Sequence, residues 1–203
     1  MHRVDPLPAS FSRYRELWGV VEFAVFDDAD GDPDTIFKTI CSAAPIDDRE
    51  ALRAIGFRLI DDAAFYGDWY DPATGDLLLL GEYTFEGGRK FRNAPLRELE
   101  GLQQMSGGSG IPEAGAGGQF AYAFAHPPYT MRACAETQQV FEKIKHFILP
   151  TGVQHEILDW TSPDLPKASA YFEAGMEWWG IFLFSIYVPA HRRLTIIWAS
   201  STD

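Results

Sequence analysis

Near its C-terminus the chain reads G-M-E-W-W-G-I-F-L-F-S-I-Y-V-P-A-H-R-R-L-T-I-I-W-A-S, from Gly175 to Ser200. From Trp178 to Val188 almost every residue is apolar, and many are aromatic or β-branched. That composition suits a pleated, packed surface. A strand wetted on one face alternates polar and apolar residues. This run does not alternate, so it reads as a strand covered on both faces. On that reading Trp178 and Trp179 point to opposite sides of the sheet. Pro189 to Arg192 is a short polar break, and Leu194 to Trp198 is a second apolar run. The two runs therefore predict a hairpin at the centre of a sheet with a layer on each face.

The rest of the chain supplies candidates for those layers. Gly19 to Phe26 reads as a strand. The acidic turn at residues 27–34 follows, with Asp34 placed to cap a helix whose inner face is Ile36, Phe37, Ile40 and Cys41. Asp47 and Glu50 have capping-box spacing ahead of a short helix that Gly56 ends. Phe57 to Ile60, Phe65 to Tyr70 and Leu77 to Phe85 read as strands, the last two joined by a turn at residues 71–76. Pro95 opens a helix carrying Leu96, Leu99 and Leu102. Gln119 to Ala125, Q-F-A-Y-A-F-A, alternates as a strand. Thr130 is placed to cap a helix with Val140, Phe141, Ile144, Phe147 and Ile148 on one face. His155 to Trp160 reads as a strand.

Residues 106–118, S-G-G-S-G-I-P-E-A-G-A-G-G, have the composition of a flexible linker or mobile loop. They carry no lysine, so they are not a phosphate-binding P-loop. The expected fold is α+β: a mixed, mostly antiparallel sheet with helices packed on it. Two similar β-α-β-β lobes, an acidic one at residues 1–105 and one at residues 119–203, are a candidate organisation, as is one compact domain spanning both.

The formal net charge is −12, from 29 acids and 17 bases. Such a balance argues against sequence-independent nucleic-acid binding and against an anionic membrane surface, both of which need a basic face. Twenty of the acids lie before residue 102, against 11 of the bases, so the acidity belongs mainly to the first half. Cys41 and Cys134 sit in apolar, helical surroundings, away from any metal-ligand pattern. They read as buried, reduced thiols of a cytoplasmic protein. The N-terminal residues lack a signal core, and no apolar run is long enough to cross a bilayer.

Asp27, Asp28, Asp30, Asp32 and Asp34 form the densest cluster of functional groups. As a calcium loop it fails: counted from Asp28, the sixth residue is Pro33 rather than Gly and the twelfth is Thr39 rather than Glu. It reads as a solvated turn and helix cap, or as a loop that meets a protein. Asp68, Trp69, Tyr70 and Asp71 combine acids with aromatics, the residue types of interface hot spots, although the core reading of Trp69 and Tyr70 is favoured, because a strand Trp or Tyr is usually at least partly buried. His155-Glu156-x-x-Asp159 lacks the second His of a zinc motif. Among the histidines, His126 at the end of a strand is the candidate general base. No nucleophile elbow is present, and Ser106, Ser109, Ser200 and Ser201 lack an activating context.

These features favour a non-catalytic, acidic protein-binding module of the immunity or inhibitor type. It would dock on a basic protein partner such as a toxin or nuclease, through Asp27, Asp28, Asp30, Asp32, Asp68, Trp69, Tyr70 and Asp71. No cofactor or metal is expected. The alternative is a hydrolase-like enzyme whose site is assembled from His126, Glu177 and acids near Asp71, under the glycine-rich loop.

Overall fold

A sheet with two apolar faces has to be covered twice, and the computed structural model of the protein is built that way. It describes residues 1–99, 101–108, 119–128 and 135–202. In chain order these form β1 (His2–Arg3), α1 (Ala9–Glu16), β2 (Glu22–Asp27), α2 (Pro33–Ala43), α3 (Arg49–Ile55), β3 (Arg58–Ile60), α4 (Asp62–Tyr66), β4 (Tyr70–Asp71), β5 (Asp76–Phe85), β6 (Arg89–Pro95), β7 (Gln104–Gly108), α5 (Phe120–Ala125), α6 (Ala135–Ile148), β8 (Glu156–Asp159), α7 (Leu165–Ala168), β9 (Ile181–Val188) and β10 (Arg193–Ser200). The expected α+β class holds.

The apolar hairpin is β9 and β10, paired from Ile181 opposite Ser200 to Val188 opposite Arg193. It lies at the middle of a six-stranded sheet ordered β1-β2-β10-β9-β8-β3, with every pairing antiparallel. Phe182, Phe184, Ile186 and Val188 face one core layer, with residues of α1, α4, α5, α6 and a second sheet. Ile181, Leu183, Leu194, Ile196 and Trp198 face the other, with residues of α2, α3 and α7. Ser185 interrupts the apolar run on this second face. Its hydroxyl accepts the Trp160 indole N–H at 3.0 Å, so a polar atom in the dry layer is satisfied.

In the second sheet β5 pairs with β6, and also with β4 near its start and β7 near its end. Strands from both sides of residues 106–118 interleave in the main sheet: β2 lies beside β10, and β3 beside β8. Residues 106–108 belong to β7. The remainder of that glycine-rich segment, with Thr130 and Cys134, lies outside the described residues.

Several elements differ from expectation. Gln119 to Ala125 is not a strand. Phe120 to Ala125 form α5, in which Phe120 through Phe124 are all 1% exposed or less. A helix buried on every side has no wet face to set a 3.6-residue period. The alternation of Phe or Tyr with Ala reports side-chain size, and Ala is the best helix former. Phe65 to Tyr70 is likewise no strand: Asp61 caps α4 by accepting the Ala64 N–H at 2.8 Å, and the strand begins only at Tyr70. The helix expected after Pro95 is a single 3-10 turn, Leu96–Leu99. Asp32, not Asp34, caps α2, and Asp48, not Asp47, caps α3.

Trp178 and Trp179 precede β9 and do not straddle the sheet. Gly180, at φ +123°, turns the chain in a conformation that L side chains avoid, and regular pairing starts after it. Trp179 is fully buried, and its indole N–H donates to the His126 carbonyl at 2.6 Å.

Because Ile196 is wholly buried in the central strand β10, Ile196→Ala is expected to cost about 2–5 kcal/mol by urea titration, with an unchanged m-value. Leu59→Ala, at a side chain 70% exposed on the edge strand β3, is expected to stay within about 0.5 kcal/mol of the parent.

Candidate functional site

The acidic cluster lies where β2 leaves the sheet and α2 begins, against the turn between β9 and β10. Its backbone is fixed from below. The Ala29 N–H donates to the Arg192 carbonyl at 2.8 Å, and Ala29 is fully buried. The Tyr187 hydroxyl reaches the Ala29 carbonyl at 3.4 Å. A Cβ on Gly31 would lie 2.2 Å from the Tyr187 ring, so only glycine lets the loop settle on that ring. Asp28 holds a left-handed conformation at φ +55°, which Asp tolerates better than most residues. Asp32 closes the loop by accepting the Thr35 N–H at 3.0 Å. Hydrogen bonds from Thr35 hold the Asp32 carboxyl below the usual range.

The carboxylates divide by role. Asp27 is part of the frame: its two oxygens accept from Arg193 Nε and Nη2 at 2.8 and 3.1 Å. That fork, opposed by partial burial, holds the Asp27 carboxyl below the usual carboxylate range. Arg193 also lies 4.3 Å over the Phe147 ring, which ties the loop to the C-terminal turn of α6. Asp28, Asp30 and Asp34 are exposed. Asp28 lies 3.2 Å from the His2 ring and Asp30 lies 3.2 Å from Arg192, but both are pairs in water, where such contacts contribute little. Five carboxylates thus meet two guanidinium groups, Arg192 and Arg193; four of the five are exposed, and of these Asp32 is also committed to capping α2.

Asp68, Trp69, Tyr70 and Asp71 do not form a second docking face. Trp69 is 2% exposed and packs on the Tyr122 and His126 rings, with centroids 5.1 and 5.2 Å away, so it cannot anchor a partner. Asp71 is spent on its own turn, accepting the Ala73 N–H at 2.8 Å and the Thr74 hydroxyl at 3.1 Å. The Tyr70 hydroxyl accepts from Lys145 Nζ at 2.6 Å. Asp68 alone is exposed and uncommitted to its own turn. These residues share no exposed face because Trp69 turns into the core and the strand here, β4, is only Tyr70 and Asp71.

The residues of the enzyme alternative have separate surroundings. The His126 ring packs against both Trp69 and Tyr122, and burial lowers its pKa, which favours a neutral imidazole. Glu177 accepts from the Thr202 hydroxyl at 2.6 Å. His155 meets Asp62 at 2.7 Å through Nε2 and the Val153 carbonyl at 2.9 Å through Nδ1. With both nitrogens engaged by acceptors, it presents no free nitrogen to move a substrate proton. Asp159 is turned inward to Arg58 at 2.5 Å, away from any His155 chelate. Among the described residues no group of three or more His, Cys, Asp or Glu is placed to hold a metal ion. Cys41 is a buried free thiol, and burial pushes its pKa up.

Compared with protein-family models, with curated proteins and with solved structures, the chain matches none. Lys145, Asp62 and the fork of Arg193 onto Asp27 escaped sequence reasoning because their partners are 75, 93 and 166 residues away. No local spacing reports contacts of that range.

Asp27→Asn is expected to destabilise the fold by about 1–3 kcal/mol at neutral pH, because it breaks a charge-assisted fork. The folded-state pKa of Asp27 is depressed. Its contribution is therefore complete above the unfolded value of about 4 and is lost as pH falls through the folded value. Chemical denaturation across pH should show parent and variant well separated at pH 6 and converging below about pH 4.

Proposed function

We propose that this chain is a non-catalytic binding module of the immunity or inhibitor type, docking on a basic protein partner through the loop at residues 27–34. The observation that carries the reading is the division within that loop. Ala29, Gly31 and Asp32 fix its backbone, while Asp28, Asp30 and Asp34 stand exposed. A pre-formed loop loses little conformational freedom on binding. Clustered charge of one sign steers a partner of opposite charge and accelerates encounter, with a strong dependence on salt. An overall charge of −12 adds a long-range field of the same sign.

The partner surface that fits is a cluster of Lys or Arg of the kind a nuclease uses against phosphates. Covering it would compete with nucleic acid. Asp68 lies outside this loop and is not needed for docking. A cytoplasmic setting is part of the proposal, supported by the reduced, buried thiol of Cys41. Among the described residues no helix is long and apolar enough to cross a membrane.

The test is affinity capture from native lysate at low and moderate salt, comparing the parent with the triple variant Asp28→Asn/Asp30→Asn/Asp34→Asn. None of the three carboxylates holds the core, so the variant should fold. The expected result is one basic protein retained by the parent, weakened by salt and lost by the variant. Equal recovery by both proteins, or no partner for the parent, would contradict the reading.

A further inference from the structure

A cavity of about 630 Å³ opens between α4 and the C-terminal end of α6. That volume lies within the range of sites for small molecules. Its apolar wall includes Ala63, Tyr66, Pro72 and Leu149. Its charged and ionisable side chains include Asp62, Asp68, Lys145 and His155. His155 and Asp62 are committed to each other, as described above. Lys145 is different.

The Lys145 ammonium is partly buried, 2.6 Å from the Tyr70 hydroxyl and 4.9 Å from the centroid of the Tyr70 ring. Among the described residues no carboxylate lies within 4 Å of it. In a chain with 29 acids and 17 bases, an ammonium held at a cavity wall by a neutral hydroxyl and ring faces is a charge awaiting a counter-ion. Tyr70 accepts from Lys145, so its own O–H proton is free to donate into the cavity. Lys145 has two further N–H donors. Two donors, one of them charged, thus converge beside an apolar wall.

We propose that this cavity binds a small-molecule carboxylate with an apolar body, its anionic group on Lys145 and Tyr70 and its body against Tyr66, Ala63, Pro72 and Leu149. A carboxylate would give the Lys145 ammonium the direct counter-ion that it lacks within 4 Å among the described residues. A dianionic phosphate would add a charge next to Asp62 and Asp68, which line the same cavity. A cation would meet the Lys145 ammonium. This site is separate from the loop at residues 27–34 and does not depend on a protein partner.

The experiment is NMR titration of the full chain with benzoate, benzylamine or inorganic phosphate, following the Tyr66 and Tyr70 ring signals and the Lys145 side-chain signals. Benzoate is expected to shift these signals with saturation, at a Kd on the order of millimolar for so small a ligand. Benzylamine should leave them unmoved, and phosphate should bind at least tenfold more weakly than benzoate. Tyr70→Phe should weaken benzoate severalfold, and Lys145→Met should weaken it at least tenfold. The wild-type arms decide the matter even if Lys145→Met does not fold. Absence of saturable benzoate shifts, or equal binding of benzylamine or phosphate, would overturn the proposal.

Discussion

The pairing of β9 with β10 is the constraint on which the other elements depend. Eight residues of each strand are matched in one antiparallel register. A slip of one residue would exchange the faces of every side chain. Because both faces are apolar, the sheet cannot rest on a single layer of helices. It needs α2, α3 and α7 on one side, and α1, α4, α5 and α6 with the second sheet on the other. Burial of this surface drives the fold, and close packing sets which side chains meet. Some polar groups within the layers are matched, although the Tyr122 and Thr195 hydroxyls are buried with no hydrogen-bond partner among the described residues. Ser185 takes the Trp160 N–H, and Asp159 takes Arg58 and the Thr161 N–H.

The same hairpin positions both functional candidates. Its turn supplies Arg192, whose carbonyl holds Ala29, and Arg193, whose side chain holds Asp27 and lies on Phe147. The acidic loop is thereby fastened to the most deeply buried strands of the molecule. Phe147 stands two residues beyond Lys145 on α6, so the helix that borders the loop's frame also carries the ammonium of the cavity. One surface is proposed as an electrostatic contact for a macromolecule, and the other as a pocket for a small anion. They use different residues and opposite charge.

The sequence was legible where the pattern is local. The unbroken apolar run revealed a two-faced strand, and Pro189 to Arg192 revealed the hairpin break. The α2 face of Ile36, Phe37, Ile40 and Cys41 is buried as its spacing implies. Alternation misled at residues 119–125, where total burial of α5 left size as the only visible periodicity. Aromatic content misled at residues 65–70, where the Asp61 cap outweighed strand propensity. The site was half visible. The density of Asp at residues 27–34 pointed to the loop, but not to the division between framing and exposed carboxylates. That division depends on Arg192, Arg193 and Tyr187, far along the chain. Trp69 looked like a contact residue until tertiary packing placed it against Tyr122 and His126.

The acidic loop is pre-formed and bound to the core of the sheet. Amide hydrogen exchange of the free protein tests it most directly, because the Ala29 N–H has one defined acceptor, the Arg192 carbonyl. If the loop is pre-formed, the Ala29 amide exchanges with an opening free energy close to that of the central β10 amides, as part of one cooperative unit. Exchange of Ala29 at the rate of an open loop, while Ile196 and Ile197 stay protected, would contradict it. The loop would then order only on binding, and the electrostatic reading would lose its rigid scaffold.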